Sequence, residues 1–325
     1  MAAATDAQMP EVVALRGIRV ADLEGLLEEE TGEWMSRLSW DFRPSADLVR
    51  RFVGSGSLAG YALISGGTVA GYAYFIHEDR KGLIGDLYVA AKYRTLEKQF
   101  LLLEAVLNDL FSTPGVERVE SQLMLLRAAG LDALPFPGLL RVFPRNFMVF
   151  DVSRARSLKP GPASRTALIE NWSARRHEDA ARVIAEAYDR HIDSQVNDQY
   201  RSVDGARRFL SNIAQYPGCG SFFQPASLVA VDVWTGHACG ICLASMLSPR
   251  VGHVTQLSVT PGVQGKGLGY ELLRRSLLAL DEAGCRQASL TVTAMNFNAV
   301  RLYEHMGFKT AHTFPALVWE KEAAG

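Results

Sequence analysis

VQGKGLGYELL, residues 263–273, places Gly265, Gly267 and Gly269 at alternate positions, with Lys266 among them, directly ahead of a leucine-rich run. The stretch before it, HVTQLSVTP (253–261), alternates as a strand does, and Pro261 ends it. Leu268, Leu272, Leu273, Leu277 and Leu280 then share one helical stripe, and Gly284 sits where a helix stops. Glycine costs a helix roughly 0.5–1 kcal/mol against alanine, so glycines at its mouth need another reason. At a helix start the first N–H groups lack intrahelical acceptors and the dipole end is positive. Without Cβ atoms in the way, a pyrophosphate can touch those amides, and Lys266 adds a mobile charge. The stretch therefore predicts strand, phosphate loop, helix. Neither of the two commonest phosphate motifs fits it. Gly267 rather than Ser or Thr follows Lys266, and G-x-G-x-G is not the dinucleotide G-x-G-x-x-G.

The same plan occurs earlier in the chain. IGDLYVAAKYRTLEKQFLLLEAVL (84–107) aligns without gaps on VTQLSVTPGVQGKGLGYELLRRSL (254–277). Leu87, Val89 and Leu107 match Leu257, Val259 and Leu277 at an offset of 170 (257 minus 87). Upstream of each lie two alternating apolar runs joined by a glycine turn, ALISGGTVAGYAYFI (62–76) and SLVAVDVWTGHACGICLASML (227–247), which read as hairpins. Downstream of each comes a further apolar strand, VESQLML (119–125) and ASLTVT (288–293). A repeat of this size is a duplicated domain, not a short-period solenoid. Each copy is expected to be a mixed α/β unit: a mostly antiparallel sheet with a central parallel strand pair, flanked by helices. SLKPGPASR (157–165) reads as the connection. The expected division is a disordered tail over 1–10, a first domain over 11–155, a linker over 156–165 and a second domain over 166–325.

Composition bounds the function. A formal net charge of -1 argues against a nucleic-acid or anionic-membrane binder. No apolar run approaches the roughly 20 residues of a spanning helix, and the first residues lack the basic and apolar regions of a signal peptide. Four cysteines in 325 residues make no disulfide framework, so a reducing cytoplasm is the expected home. Cys239 and Cys242 form a C-x-x-C inside a strand-like run, where residues three apart point to opposite faces. They read as ordinary buried cysteines, and no metal constellation is seen.

With the loop Gln264-x-x-Gly267-x-Gly269 comes a second pattern, NFNAVRLYEHMGF (296–308). Together they resemble the two signatures of the GNAT acyltransferase superfamily, Q/R-x-x-G-x-G/A and N-x-x-A-x-x-L-Y-x-x-x-G-F. Asn296, Ala299, Leu302, Tyr303, Gly307 and Phe308 stand at every fixed place of the second. The resemblance covers residues from about 166 to 325; over 11–155 only the topology echoes it. It implies acetyl-CoA as co-substrate, with its pyrophosphate on the amides of Gln264, Gly265, Lys266, Gly267, Leu268 and Gly269. The pantetheine would run between splayed strands beside Leu257, Ser258 and Val259, near Asn296 and Ala299. Tyr303 would protonate the departing thiolate; a phenol of pKa near 10 suits that task.

The attacking amine must lose a proton. The strand before the loop offers His253, which by period-two alternation shares a face with Thr255 and Leu257. Asp198 is the alternative base. The polar break HIDSQVNDQYRS (191–202), with His191, Asp198 and Tyr200, is the expected acceptor lip. The implied activity is N-acetyl transfer to a primary amine, of a small molecule or a peptide, by direct attack in a monomer or homodimer. A non-catalytic acyl-CoA sensor or scaffold is the alternative. In the first copy Arg94 occupies the place of Gln264, Glu97 and Gln99 replace the two key glycines, and the second signature is missing. That copy reads as a degenerate domain that kept the fold and lost the cofactor.

Overall fold

The computed structural model describes residues 10–78, 80–126, 130, 133–162, 167–216 and 218–321. The expected tail, 1–10, lies outside them except for Pro10, as does the linker from residue 163 on. In chain order the elements are β1 Glu11–Ala14, α1 Val20–Leu38, α2 Arg43–Gly54, β2 Gly60–Ser65, β3 Thr68–Glu78, β4 Lys81–Val89, α3 Leu96–Ser112, β5 Arg118–Gln122 and β6 Leu140–Asp151. The second half continues with β7 Ala167–Asn171, α4 His177–Ala187, α5 Asp193–Val196, α6 Val203–Gln215, β8 Ser221–Phe222, β9 Leu228–Asp232, β10 Ala238–Ser248, β11 Val251–Val259, α7 Leu268–Glu282, β12 Gln287–Thr293, α8 Phe297–Met306 and β13 Lys309–Glu320. No described helix is long and apolar enough to cross a membrane.

Two compact units form, but they do not divide where the sequence suggests. One comprises residues 1–38, 42–143 and 314–325; the other comprises 39–41 and 144–313. The expected boundary at 156–165 is corrected on both sides. Residues 144–151 of β6 complete the second unit, where Arg145 to Asp151 pair antiparallel with Thr293 to Gln287. Residues 316–320 of β13 complete the first, pairing antiparallel with β5 from Ala316↔Gln122 to Glu320↔Arg118. Each unit thus takes its last strand from the end of the other half's sequence. Pairing between segments far apart in sequence leaves no local pattern, so a proline-rich stretch looked like the seam. That stretch is itself anchored: the Gly161 N–H donates to Glu271 Oε2 at 2.9 Å and the Tyr270 hydroxyl donates to the Lys159 carbonyl at 2.9 Å.

In the first unit the strand order is β1-β2-β3-β4-β5-β13, antiparallel except for β4 and β5. Leu102, Leu103, Val106, Leu107 and Leu110 of α3 pack on Ala73, Phe75, Leu87 and Val89, with Leu317 and Trp319 of β13 in the same core. Alternation sends Tyr72 the other way, toward α1, where its hydroxyl donates to Glu30 Oε2 at 2.7 Å. Glu30 also accepts from the Trp34 indole at 3.2 Å and faces Asp86. Both carboxyls are buried. Burial, then the nearness of Asp86, raises the pKa of Glu30 well above the usual carboxylate range, and burial pushes Asp86 up to about 6.

A carboxyl whose folded pKa is raised contributes stability that is present below its unfolded pKa and lost as pH rises through the folded one. The unit should therefore weaken between about pH 4 and pH 7, by the order of 3 kcal/mol for a shift of about two units. Glu30→Gln is expected to raise the neutral-pH melting temperature and flatten this slope. Thermal unfolding from pH 4 to 8 checks it, and an unchanged slope would contradict the account.

In the second unit the order is β6-β12-β11-β10-β9-β7, with β8 beside β10, and only β11 and β12 run parallel. Leu272, Leu273, Leu277 and Leu280 of α7, with Tyr303 and Met306 of α8, cover one face together with Met148, Phe150, Leu290 and Val292. On the other face Ala180, Val183 and Ile184 of α4 and Leu210 and Ile213 of α6 meet Val229, Ile241 and Leu243. Cys239 and Cys242, expected on opposite faces, enter the same core. The β9–β10 pairing shifts between Ala238 and Gly240, so Cys239 lies in an irregularity that breaks the alternation.

Candidate active site

The site starts from the parallel strands. β11 and β12 pair from Val251↔Gln287 to Val254↔Leu290 and then part, although β11 runs on to Val259 and β12 to Thr293. At that point the β10–β11 register jumps, Ala244↔Val254 being followed by Leu243↔Gln256, which makes Thr255 a bulge. The Thr255 hydroxyl bonds the Leu243 carbonyl at 3.2 Å. A bulge turns the following side chains over. Gln256 and Ser258 consequently share a polar face with His253, and Leu257 turns into the α7 core. The expectation that His253, Thr255 and Leu257 lie together is corrected by this one residue. The first unit has the same device at the same offset. β4 and β5 pair from Lys81↔Arg118 to Ile84↔Ser121, and Gly85 is skipped between Tyr74↔Asp86 and Phe75↔Ile84. A Cβ on Gly85 would stand 2.1 Å from the Tyr74 ring.

The glycine loop closes one end of the splay. Gln264 Nε2 donates to the Val259 carbonyl at 2.9 Å, which ties the loop to the strand end, and Lys266 Nζ donates to the Gly262 carbonyl at 2.9 Å. Gly265 and Gly267 hold φ of +73° and +83°, a left-handed backbone that any L side chain strains. Left-handed glycines alternating with ordinary residues help turn backbone N–H groups into an anion-binding concavity. Gly267 is the N-cap of α7, and the first bond into the helix runs from Glu271 N to Gly267 O at 3.1 Å. The amides ahead of it are free of helical acceptors. Leu268 anchors the turn in the core. Gly269 has ordinary φ, and a Cβ there would meet only normal contacts, 3.6 Å from Val259. Nothing in the fold demands a glycine at 269.

Beyond the splay lies a polar cluster. Tyr303, on α8, is buried; its pKa rises, first through burial and then through Tyr188 and Asp193, so the phenol stays protonated. Asp193 accepts from the Thr293 hydroxyl in a very short contact and from Asn296 Nδ2 at 3.3 Å, and its backbone N–H donates to His191 Nδ1 at 3.2 Å. Asn296 is also the N-cap of α8, accepting from the Ala299 N–H at 3.2 Å. Tyr188 and Tyr200 stack at 4.5 Å, and Gln256 binds both: its Nε2 donates to the Tyr188 hydroxyl at 2.9 Å and its Oε1 accepts from Tyr200 at 3.4 Å. Asp198 opens the short 3-10 turn that carries Tyr200.

His253 is 4% exposed, between Trp40 at 5.4 Å and Phe147 at 6.2 Å, with Nδ1 on the Ser289 hydroxyl at 2.9 Å. Burial, with the Arg145 cation behind it, holds its pKa down to about 3. An imidazole so enclosed and so weakly basic is part of the wall, which corrects its expected role as base. The aromatic pair that encloses it comes from residues 40 and 147, in the first half of the chain, where no local signal marked them.

Sequence reasoning also missed Arg145, Tyr188, Gln256 and Thr293. Arg145 left a trace, a cation in the apolar strand LRVFPRNFMVFD between Phe143 and Phe147, with Arg141 the other cation of that strand. Its position ahead of the apparent linker hid its destination.

In the first unit donors beside the matching loop are taken from within. Arg94 Nε donates to the Val89 carbonyl at 2.8 Å, the same bond that Gln264 makes to Val259 at an offset of 170 (264 minus 94). The Arg94 guanidinium then grips Glu33 at 2.9 and 2.6 Å, and the Ala91 N–H donates to the Glu29 carboxylate at 2.6 Å. Burial pushes Glu33 up, but Arg94 and Arg37 bring it down to about 2. Carboxylates of α1 thus take donors that border this loop.

Against known proteins, the sequence profile of the acetyltransferase (GNAT) family matches residues 191–308. A mycothiol acetyltransferase of Acidimicrobium ferrooxidans is 32% identical over 108 residues, 32% of this chain and 34% of that protein. The chain thus spans about a third of the length of that curated relative. A GCN5-related N-acetyltransferase from Sphaerobacter thermophilus superposes with a TM-score of 0.66 at 18% identity, covering 97% of both chains. A tandem GNAT protein from the clavulanic acid biosynthesis pathway does so with 0.57 at 15% identity, covering 97% of this chain and 100% of that one. At such identities these two share the fold.

Proposed function

Residues 191–308 make an acetyltransferase domain of the GNAT family, and on that premise we propose that the chain transfers an acetyl group from acetyl-CoA to a primary amine by direct attack. The observation that carries the proposal is the parting of β11 from β12 after Val254 and Leu290, next to a helix start built on left-handed glycines. The free strand edge around Leu257, Ser258 and Val259 suits an extended amide-bearing arm, held like an added strand. The amides from Gly265 to Gly269 suit its pyrophosphate, with Lys266 swinging from its Gly262 contact to the phosphates. Ala299 and Asn296 border the arm at the start of α8.

The second unit supplies the proton chemistry. Tyr303, kept protonated, gives its proton to the thiolate as the C–S bond breaks. The amine nitrogen forms the new C–N bond and loses its proton to water at the acceptor lip, where His191 is about a third exposed beside Asp193. With Nδ1 on the Asp193 N–H, His191 offers the lip its Nε2–H as a donor that positions the amine or that water. Asp198 stays on the acceptor lip with Tyr200. Mycothiol acetyltransferases among the relatives favour a small-molecule acceptor over a peptide. The first unit, with donors beside its loop taken by its own carboxylates, binds no acetyl-CoA.

Steady-state thiol release across a panel of amines tests the reading. Tyr303→Phe should lower kcat by roughly 10²- to 10⁴-fold with KM little changed, as the loss of a general acid does. His191→Gln should lower kcat/KM, and His253→Gln should leave it little changed. No thiol release with any amine, in a protein that binds acetyl-CoA, would leave a sensor or scaffold instead.

A further inference from the structure

Arg145 stands on β6 directly across from Thr293 of β12. Its Nη1 donates to the Thr293 hydroxyl at 3.4 Å and its Nη2 to the Thr291 hydroxyl at 3.3 Å, both long. The nearest carboxylate oxygen, on Asp193, is 3.7 Å away, beyond hydrogen-bond reach. Nε is buried and has no partner. The Asp193 carboxylate is meanwhile held by the Thr293 hydroxyl and Asn296, and its backbone N–H donates to the His191 ring. A guanidinium presents five donors in a planar fork and forms its strong bonds at about 2.7–2.9 Å to paired anionic oxygens. Here it meets two neutral hydroxyls and a loosely placed anion.

An arginine so placed is poorly compensated for its burial. Its side chain is 11% exposed, so the guanidinium is not fully sealed from solvent. The surroundings are those of the proposed acceptor site. Burial raises the pKa of Tyr188, Tyr200, Tyr303 and Cys219, and the Arg145 charge offsets part of that rise in each. These groups lie at the Tyr303 end of the splay, where the acyl carbon and the incoming amine must meet. The glycine loop has its own cation in Lys266 and its own amides for the cofactor's phosphates.

We propose that Arg145 is the specificity residue for the acceptor, and that the acceptor is an amine bearing an anionic oxygen group, carboxylate or phosphate, that closes a two-pronged pair with this guanidinium. The inference rests on the acyltransferase reading and adds the substrate class. The anion binds Arg145 while the amine, on the same molecule, lies toward His191 and Tyr303. An unsubstituted amine lacks the first of these holds.

The test is calorimetric titration of matched pairs into the full-length protein saturated with CoA: amino acids against their carboxamides, and glucosamine 6-phosphate against glucosamine. The anionic member of at least one type of pair should bind more tightly by the order of 10- to 100-fold, the range of a charge-assisted hydrogen bond or two. The type that responds tells carboxylate from phosphate. Arg145→Gln should erase the difference and Arg145→Lys, which keeps the charge without the fork, should keep part of it. The pairwise comparison in the unsubstituted protein stands even where a variant misfolds. Equal binding within every pair, or binding of neither member of any pair, overturns the proposal. So does an Arg145→Gln protein that weakens neutral and anionic amines alike, which would make the residue a support of the site and not the anion's partner. Thiol release from amines without anionic preference would sink this inference and leave the acyltransferase; anion-selective binding without thiol release would leave an anion site at Arg145 and sink the acyltransferase reading, and the acceptor role with it.

Discussion

Expressed alone, residues 156–325 are expected to give no folded acetyltransferase, although that fragment holds both signatures and all of residues 191–308. The second unit is closed by residues 144–151 along the whole of β12. Phe147, Met148, Phe150 and Val152, each at most 1% exposed, would leave its core. At about 1.5–3 kcal/mol for each buried side chain the loss is roughly 6–12 kcal/mol. That equals the whole stability of an ordinary domain, about 5–15 kcal/mol. The fragment would lose Arg145 and the Trp40 cover of His253 as well. It would also carry Phe314, Leu317 and Trp319, buried to 1% or less in the full chain, with the β5 partner of that strand gone. Circular dichroism and dispersed amide NMR signals of the fragment check this. The expected outcome is aggregation or a molten chain, rescued by co-expression with residues 1–155. A soluble, cooperatively melting 156–325 would show that the exchanged strands are dispensable.

The second large effect concerns the loop. Gly269→Glu should abolish acetyl-CoA binding and leave the fold intact. The position has ordinary φ and room for a Cβ, so replacing glycine there relieves a helix cost of roughly 0.5–1 kcal/mol. A carboxylate set among amides meant for a pyrophosphate then adds repulsion to lost approach, and a fall of more than about 100-fold in affinity follows for two or more charge-assisted bonds. Gly267→Glu should also abolish binding, with added strain. Its φ is +83°, and a Cβ would come within 3.2 Å of Pro162. Calorimetry on both variants, with melting temperatures alongside, separates the two causes. Binding retained by Gly269→Glu would mean that the pyrophosphate lies elsewhere.

How much of this was legible in the sequence depended on whether the cause was local. The glycine loop, the stripe of α7 and the Asn296–Phe308 signature are written in neighbouring residues, and the structure builds strand, loop and helix where they predict. The duplication was legible because its register survived: the bulges at Gly85 and Thr255 keep the offset of 170 (255 minus 85). The bulge itself was not legible. Whether Thr255 is skipped depends on β10, and strict alternation carried Leu257 to the wrong face. His253 looked free for the same kind of reason, since the rings that bury it come from residues 40 and 147. Arg145 and the strand exchange lay beyond any local pattern, because a strand reveals its own periodicity and not its partner.

The two carboxylates beside the first unit's loop would compete with any anion that came to it. Glu29 and Glu33 reach Ala91 and Arg94 from a helix of the same unit. A tethered group acts at an effective concentration of the order of millimolar, and stiff, short connections raise it further. A free phosphate has to outcompete an anion that never diffuses away. Replacing Glu97 and Gln99 by glycine would therefore reopen the backbone and still leave the Ala91 N–H and the Arg94 guanidinium engaged. Glu29 and Glu33 thus stand beside this loop as built-in competitors, and a phosphate seeking the Ala91 N–H or the Arg94 guanidinium would have to displace them first.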